Sequence, residues 1–188
     1  MRRLLLAVPA AAWCWLAMMF VHELGHVVAG WLTGGRIAHV ELRPGRLSHT
    51  LVLPNPWPTA VVWSGIIVGW LTPQIALALR PICWMRIGLV AEFWAGFCLL
   101  AGGVYLAVGG GTPLTDTEQL VALGWPLPML IAIGAAVAVI GYVRARSASV
   151  RFYKDIRDRD VGLDEVAFWW WWLVAWCVGQ SIVASLVC

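Results

Sequence analysis

Five stretches of this 188-residue sequence are long and apolar enough to cross a bilayer, and they constrain the fold more than any other feature. A helix needs about 20 apolar residues to span the hydrocarbon core. The stretches run from about Leu4 to Leu32, Ala60 to Leu79, Gly88 to Val108, Pro126 to Val143 and Val166 to Val187. The start of the fourth is blurred by Pro126 and Pro128, because proline disturbs a helix interior. Lipid offers no partner to a bare N–H or C=O, so spans of this kind close their hydrogen bonds internally as helices. Composition agrees: 61% of residues are hydrophobic and only 12% charged, about half the charged share of a soluble domain. The expected fold is an all-α polytopic membrane protein of about five transmembrane helices, a single membrane domain over residues 1–188. A net charge of +3, spread over short loops, gives no nucleic-acid footprint, so the expected partner is the lipid bilayer.

Met1-Arg2-Arg3 followed by an apolar run resembles the start of a signal peptide, and Ala10-Ala11-Ala12 a cleavage site. The run continues to Leu32, well past the 7–15 residues of a cleavable core, so an uncleaved helix is expected. The five cysteines, Cys14, Cys83, Cys98, Cys177 and Cys188, lie in or beside apolar runs without a CxxC pair, which fits packing rather than disulfides or a thiolate metal site. Trp169–Trp172 reads as an interfacial anchor. Arg144–Glu165, with six basic and five acidic residues, reads as a solvated loop or short surface helix.

Between the first two spans, residues 36–42 and 47–53 alternate polar and apolar around Arg43-Pro44-Gly45-Arg46. Period-two alternation about a Pro-Gly turn predicts a small β-hairpin.

His22-Glu23-Leu24-Gly25-His26 carries the chemistry. Residues four apart share one helix face, so both imidazoles can reach one metal ion, and the HExxH pattern points to zinc. Zinc suits two neutral imidazoles and a carboxylate, with a fourth position for water. Glu23, directly after the first histidine, is placed to act as general base. Ionisable side chains inside an apolar helix are costly and are normally retained for function.

A third ligand is required. His39, His49, Glu41, Glu92, Asp116, Glu118 and the acids of the last loop are the candidates. His22 lies about 27 Å along the helix from Leu4, near the far side of the first span. The third span ends on that side, and the glycines of 109–111 with Pro113 break it just before Asp116. Asp116 is therefore the first choice, with Glu118 or a hairpin histidine behind it; Glu92 falls at the opposite end. Thr115-Asp116-Thr117-Glu118 is also a helix-start pattern, which gives Asp116 a capping alternative.

HExxH, the following Val27-Val28-Ala29-Gly30-Trp31-Leu32-Thr33-Gly34-Gly35-Arg36, the hairpin and the second span's Ser64-Gly65-Ile66-Ile67-Val68-Gly69-Trp70-Leu71-Thr72-Pro73 together resemble the site-2 proteases, intramembrane zinc metalloproteases, in a divergent bacterial branch. The resemblance covers about residues 10–120. It implies a three-helix catalytic core over about 4–120, accessory helices over about 121–188, zinc (Zn2+) held by His22, His26 and Asp116, and Glu23 as base. It implies hydrolysis of a peptide bond in a transmembrane protein substrate, whose unwound strand could add to the hairpin edge near Val40 and Leu51. The family's usual third-ligand motif is Asn-Pro-Asp-Gly or Leu-Asp-Gly, whereas this chain reads Leu114-Thr115-Asp116-Thr117. A non-catalytic, substrate-binding relative is the alternative, against which the intact Glu23 weighs. A metal transporter would be expected to show paired inverted repeats, and the sequence has none.

Ten basic residues fall on the side of the N-terminus and three on the side of the hairpin. The positive-inside rule then places the N-terminus in the cytoplasm, in the bacterial case at the cytoplasmic membrane. The family resemblance implies the reverse orientation.

Overall fold

The computed structural model describes residues 1–78, 85–113 and 115–187; Leu79, Arg80, Cys83, Leu114 and Cys188 lie outside them. Among the described residues there are six helices and one hairpin: α1 Arg2–Leu32, β1 Ile37–Glu41, β2 His49–Val52, α2 Pro58–Ala78, α3 Met85–Val108, α4 Asp116–Ala122, α5 Leu127–Asp158 and α6 Leu163–Val187. All but α4 are long and apolar enough to cross a membrane, so the chain is a multi-pass membrane protein with five candidate spans.

Each boundary has a local cause. α1 ends at Thr33, where Gly34 takes φ +77° and the amides of Gly34 and Gly35 bond Trp31 O and Gly30 O. That is the paired closure of orphan carbonyls that a left-handed glycine allows. Pro9 interrupts α1 and leaves the carbonyl of Leu5 without its usual amide partner. The indole N–H of Trp170 on α6 donates to that carbonyl at 3.0 Å, so the proline docks α6 against α1. The hairpin turns at Pro44-Gly45, with Gly45 at φ +83° and Arg46 N bonded to Arg43 O. Its strands are antiparallel, pairing Val40 with Thr50 and Glu41 with His49, with an irregularity between Ile37 and His39.

α1, α2 and α3 pack on one another, and α5 lies along α3. The α3–α5 contact is close because small residues line it. A Cβ on Gly96 would come within 2.4 Å of Ala145 N, and one on Gly103 within 2.5 Å of Ala138 N. Small residues let helix backbones approach in lipid, where burial of apolar surface between helices gains little. One buried cluster joins α1, α3, α5 and α6 through Leu6, Cys14, Trp94, Cys98, Ile156 and Trp169. A second joins α2 to α5 through Ile66, Leu106, Leu120 and Leu130. A third seats the hairpin, with Val40 and Leu42 against Ala184.

Two expectations need correction. The polar stretch after Arg144 is neither a loop nor a separate surface helix. α5 continues through it to Asp158, making a helix about 48 Å long that outruns a 30 Å core. It stays helical because Ala145, Ala148 and Ile156 are buried and its charges find partners: Asp155 with Arg86, and Arg151 with Glu92. Within Trp169–Trp172 the anchor expectation fails for Trp169, which is 4% exposed and packs beside Trp13, while Trp170, Trp171 and Trp172 are exposed.

Arg3 donates to Arg157 O, and Arg86 pairs with Asp155 and Glu165. The start of α1, the start of α3, the end of α5 and the start of α6 therefore share one end of the bundle. The hairpin and α4 share the other, as five alternating crossings require. Cys14, Cys98 and Cys177 are free thiols, the first two buried in the packing.

Candidate metal centre

His22 and His26 project from the same face of α1, ten and six residues before its last residue, Leu32. Gly65 on α2 makes the room. A Cβ there would sit 2.2 Å from Cε1 and 2.3 Å from Nε2 of His26. Ser64 closes the crossing from the α2 side, its hydroxyl donating to Gly25 O at 2.8 Å.

Asp116 arrives by a different route. The hydroxyl of Thr117 donates to Leu106 O at 3.1 Å, and that of Thr115 to Gly109 O at 2.7 Å, so the end of α3 holds the start of α4. Thr115 caps α4, accepting from Glu118 N. Asp116 is thus the first residue of a helix and also faces the histidines, so the capping alternative and the ligand reading meet in adjacent residues. Its Oδ2 lies 3.0 Å from His22 Nε2 and its Oδ1 3.5 Å from His26 Nε2. The two Nε2 atoms are 3.2 Å apart.

His26 Nδ1 lies 2.8 Å from Val61 O. A carbonyl can only accept, so the proton sits on Nδ1 and the Nε2 lone pair points into the cluster. Such an outer hydrogen bond is what fixes a ligating imidazole in its tautomer and orientation. Asp116 Oδ2 is buried and accepts no hydrogen bond despite its closeness to His22. Two imidazoles and a carboxylate facing one point are a donor set that suits a cation. Ligand atoms about 2.0–2.1 Å from a tetrahedral zinc lie about 3.3 Å from one another; the two Nε2 atoms stand at 3.2 Å, and each imidazole approaches a different oxygen of the Asp116 carboxylate. The residues therefore fit a metal ion.

Glu23 is 3% exposed and lines the same cavity as His22 and Asp116, a space of about 550 Å³ between α1, α2, α3 and the hairpin turn. Its Oε2 accepts from the Thr50 hydroxyl at 2.7 Å. This tie from β2 to the proposed base was not foreseen; the alternation that predicted the hairpin did not say which β2 residue would face α1. Gly65 and the Val61 carbonyl were also missed as parts of the site, although the glycines of the second span were visible.

The other third-ligand candidates are placed elsewhere. Glu92 pairs with Arg151. Glu41 is held by Arg43, whose side-chain and backbone hydrogen bonds pull its carboxyl down to about 2. His39 and His49 lie against each other on the hairpin, ring centroids 5.3 Å apart. Glu118 occupies the first turn of α4. Among the described residues, His22, His26 and Asp116 are the group whose ligand atoms converge, all within 4.8 Å of one another.

Fold and site together define a multi-pass membrane protein with a buried His-His-Asp group able to hold a metal ion. Comparison with family models, curated proteins and solved structures finds no match.

Proposed function

We propose that this protein is an intramembrane zinc metalloprotease of the site-2 protease type, hydrolysing a peptide bond in a transmembrane segment of another membrane protein. The observation that carries the reading is the convergence of His22 Nε2, His26 Nε2 and the Asp116 carboxylate beside a buried glutamate that follows the first histidine directly.

In this reading His22, His26 and Asp116 hold the zinc, which when bound supplies Lewis acidity toward a water and the scissile carbonyl. Glu23 takes a proton from the attacking water and returns it to the leaving amine. Thr50 holds one carboxylate oxygen of Glu23 by a hydrogen bond. The apolar cavity accepts the substrate segment and keeps bulk water from the carboxylates and imidazoles. The hairpin is the element against which an unwound strand could pair, and exposed Leu51 lies on it. The charge distribution favours a cytoplasmic N-terminus.

The test is Glu23→Gln in the full-length protein. The variant should retain zinc and lose at least about a hundredfold in cleavage of a transmembrane substrate, the low end of what a placed general base contributes. Equal cleavage by variant and parent would refute the mechanism. Metal binding without cleavage of any substrate by either protein would favour the non-catalytic, substrate-binding alternative.

A further inference from the structure

The cavity beside the His22–His26–Asp116 group is walled mainly by apolar side chains, among them Trp15, Met18, Met19, Ile66 and Trp70, yet one arginine lines it, Arg46 on the hairpin turn. Arg46 forms an ion pair with Glu41 but shares that carboxylate with a second guanidinium, that of Arg43. The neighbouring carboxylate is Glu41, and Arg43 already engages both of its oxygens. Arg43 Nε reaches Oε1 at 2.8 Å, its backbone N–H the same oxygen at 3.0 Å, and Nη2 reaches Oε2. Arg46 Nη1 stands 3.6 Å from Oε2, beyond hydrogen-bond reach, and the side chain is 63% exposed. The turn therefore sets two guanidinium groups against one carboxylate and carries an excess positive charge. The other ionisable groups on the cavity wall are His22, Glu23 and Asp116, which the proposed chemistry occupies, and the neutral side chains of Cys98 and Tyr105.

A cation beside low-dielectric walls acts on an anion in the same space more strongly than it would in water. Guanidinium also matches a carboxylate in planar, two-point geometry. We propose that Arg46 is a specificity-determining residue: it selects polypeptide segments that carry an Asp or Glu on the flank lying toward the hairpin, while their apolar part fills the cavity. Lipid phosphate is the competing anion. The peptide carboxylate is favoured because Arg46 lines the same cavity as His22 and Asp116, where a bound segment would lie. Cleavage of the bound segment rests on the protease reading; the selection itself does not.

The test uses the full-length protein in phosphatidylcholine vesicles and a series of synthetic transmembrane peptides with a photo-crosslinker. Each peptide carries one Glu, Gln or Lys, moved stepwise along the flank. Crosslinking yield and cleavage kcat/KM are read together. At one position Glu should exceed Gln by about fivefold, the upper range of a partly exposed ion pair, and Lys should fall below Gln. Arg46→Gln should erase the difference, Arg46→Lys should keep part of it, and Arg46→Glu should turn the preference to Lys. Absence of any acidic preference in the parent, or a preference that survives Arg46→Gln, overturns the proposal. So does an effect of Arg46→Gln that appears only when anionic lipid is added, which would assign the residue to headgroups. Acid-selective crosslinking without cleavage would leave this inference standing and refute the protease reading. Cleavage without acid selectivity would do the opposite.

Discussion

Replacing Gly65 by alanine adds one methyl group where α2 crosses behind His26. That carbon would lie 2.2 Å from Cε1, 2.3 Å from Nε2 and 2.7 Å from Nδ1 of the imidazole. Non-bonded carbons sit comfortably at about 3.5 Å or more, so the ring must retreat by roughly 1 Å. It has nowhere easy to go. Nδ1 is bonded to Val61 O at 2.8 Å, and Gly25 already meets Ser64 so closely that a Cβ there would be 2.5 Å from Ser64 O. Overpacking of this kind costs about 1–3 kcal/mol. The loss at the metal should be larger in effect, because zinc–nitrogen distances tolerate only about 0.2 Å. Disturbing a ligand's support typically lowers metal affinity about 10–100-fold. Gly69, one helical turn further, provides the control: a Cβ there meets His22 no closer than 3.6 Å, ordinary contact. Chelator competition on purified protein should show zinc affinity reduced at least tenfold in Gly65→Ala and within about threefold of the parent in Gly69→Ala. Thermal unfolding in detergent should show the first destabilised and the second unchanged or slightly stabilised, since alanine suits a helix better than glycine. If Gly65→Ala binds zinc as tightly as the parent, or if both variants are equally damaged, the close fit between α2 and His26 is not what shapes the centre.

The remaining expectations are separable. Asp116→Ala should lower zinc content far more than Glu118→Ala or Glu92→Ala, as measured by elemental analysis; equal losses would remove Asp116 from the ligand set. Thr50→Val should lower kcat while leaving zinc content and KM close to the parent, and Thr50→Ser should restore kcat. A fall in zinc content with Thr50→Val would instead make Thr50 a general structural support. Glu41 titrates at about 2 in the hairpin against an ordinary 4.5. A depressed carboxyl stabilises above its unfolded value, so this contribution is whole above about pH 4.5 and is lost as pH falls toward 2. Hydrogen exchange of the hairpin amides, corrected for intrinsic rates, should show opening across that window in the parent and little pH dependence in Arg43→Gln.

The sequence by itself determined the features that depend on neighbours along the chain. Apolar runs in lipid can only close their hydrogen bonds as helices, so the five spans were legible from length alone. Strict alternation around Pro44-Gly45 predicted the hairpin, and the i, i+4 spacing placed His22 and His26 on one face. The side on which Asp116 lies came from counting crossings. Tertiary structure decided whatever required two separate elements to meet. Asp116 reaches the histidines because Thr115 and Thr117 clip α4 to the end of α3, and because Leu120 packs with Leu106 and Leu130. No periodicity in the sequence encodes that approach. The length of α5 was missed for a related reason. Its polar half remains helical because Arg86 on α3 meets Asp155, and Ala145 meets Gly96, contacts invisible to a composition reading. Thr50 reaches Glu23 only because the hairpin folds back over α1 in one register, with Thr50 opposite Val40. Sliding a strand by one residue turns every side chain to the other face, so the partner of Glu23 was fixed by how the strands pair and dock.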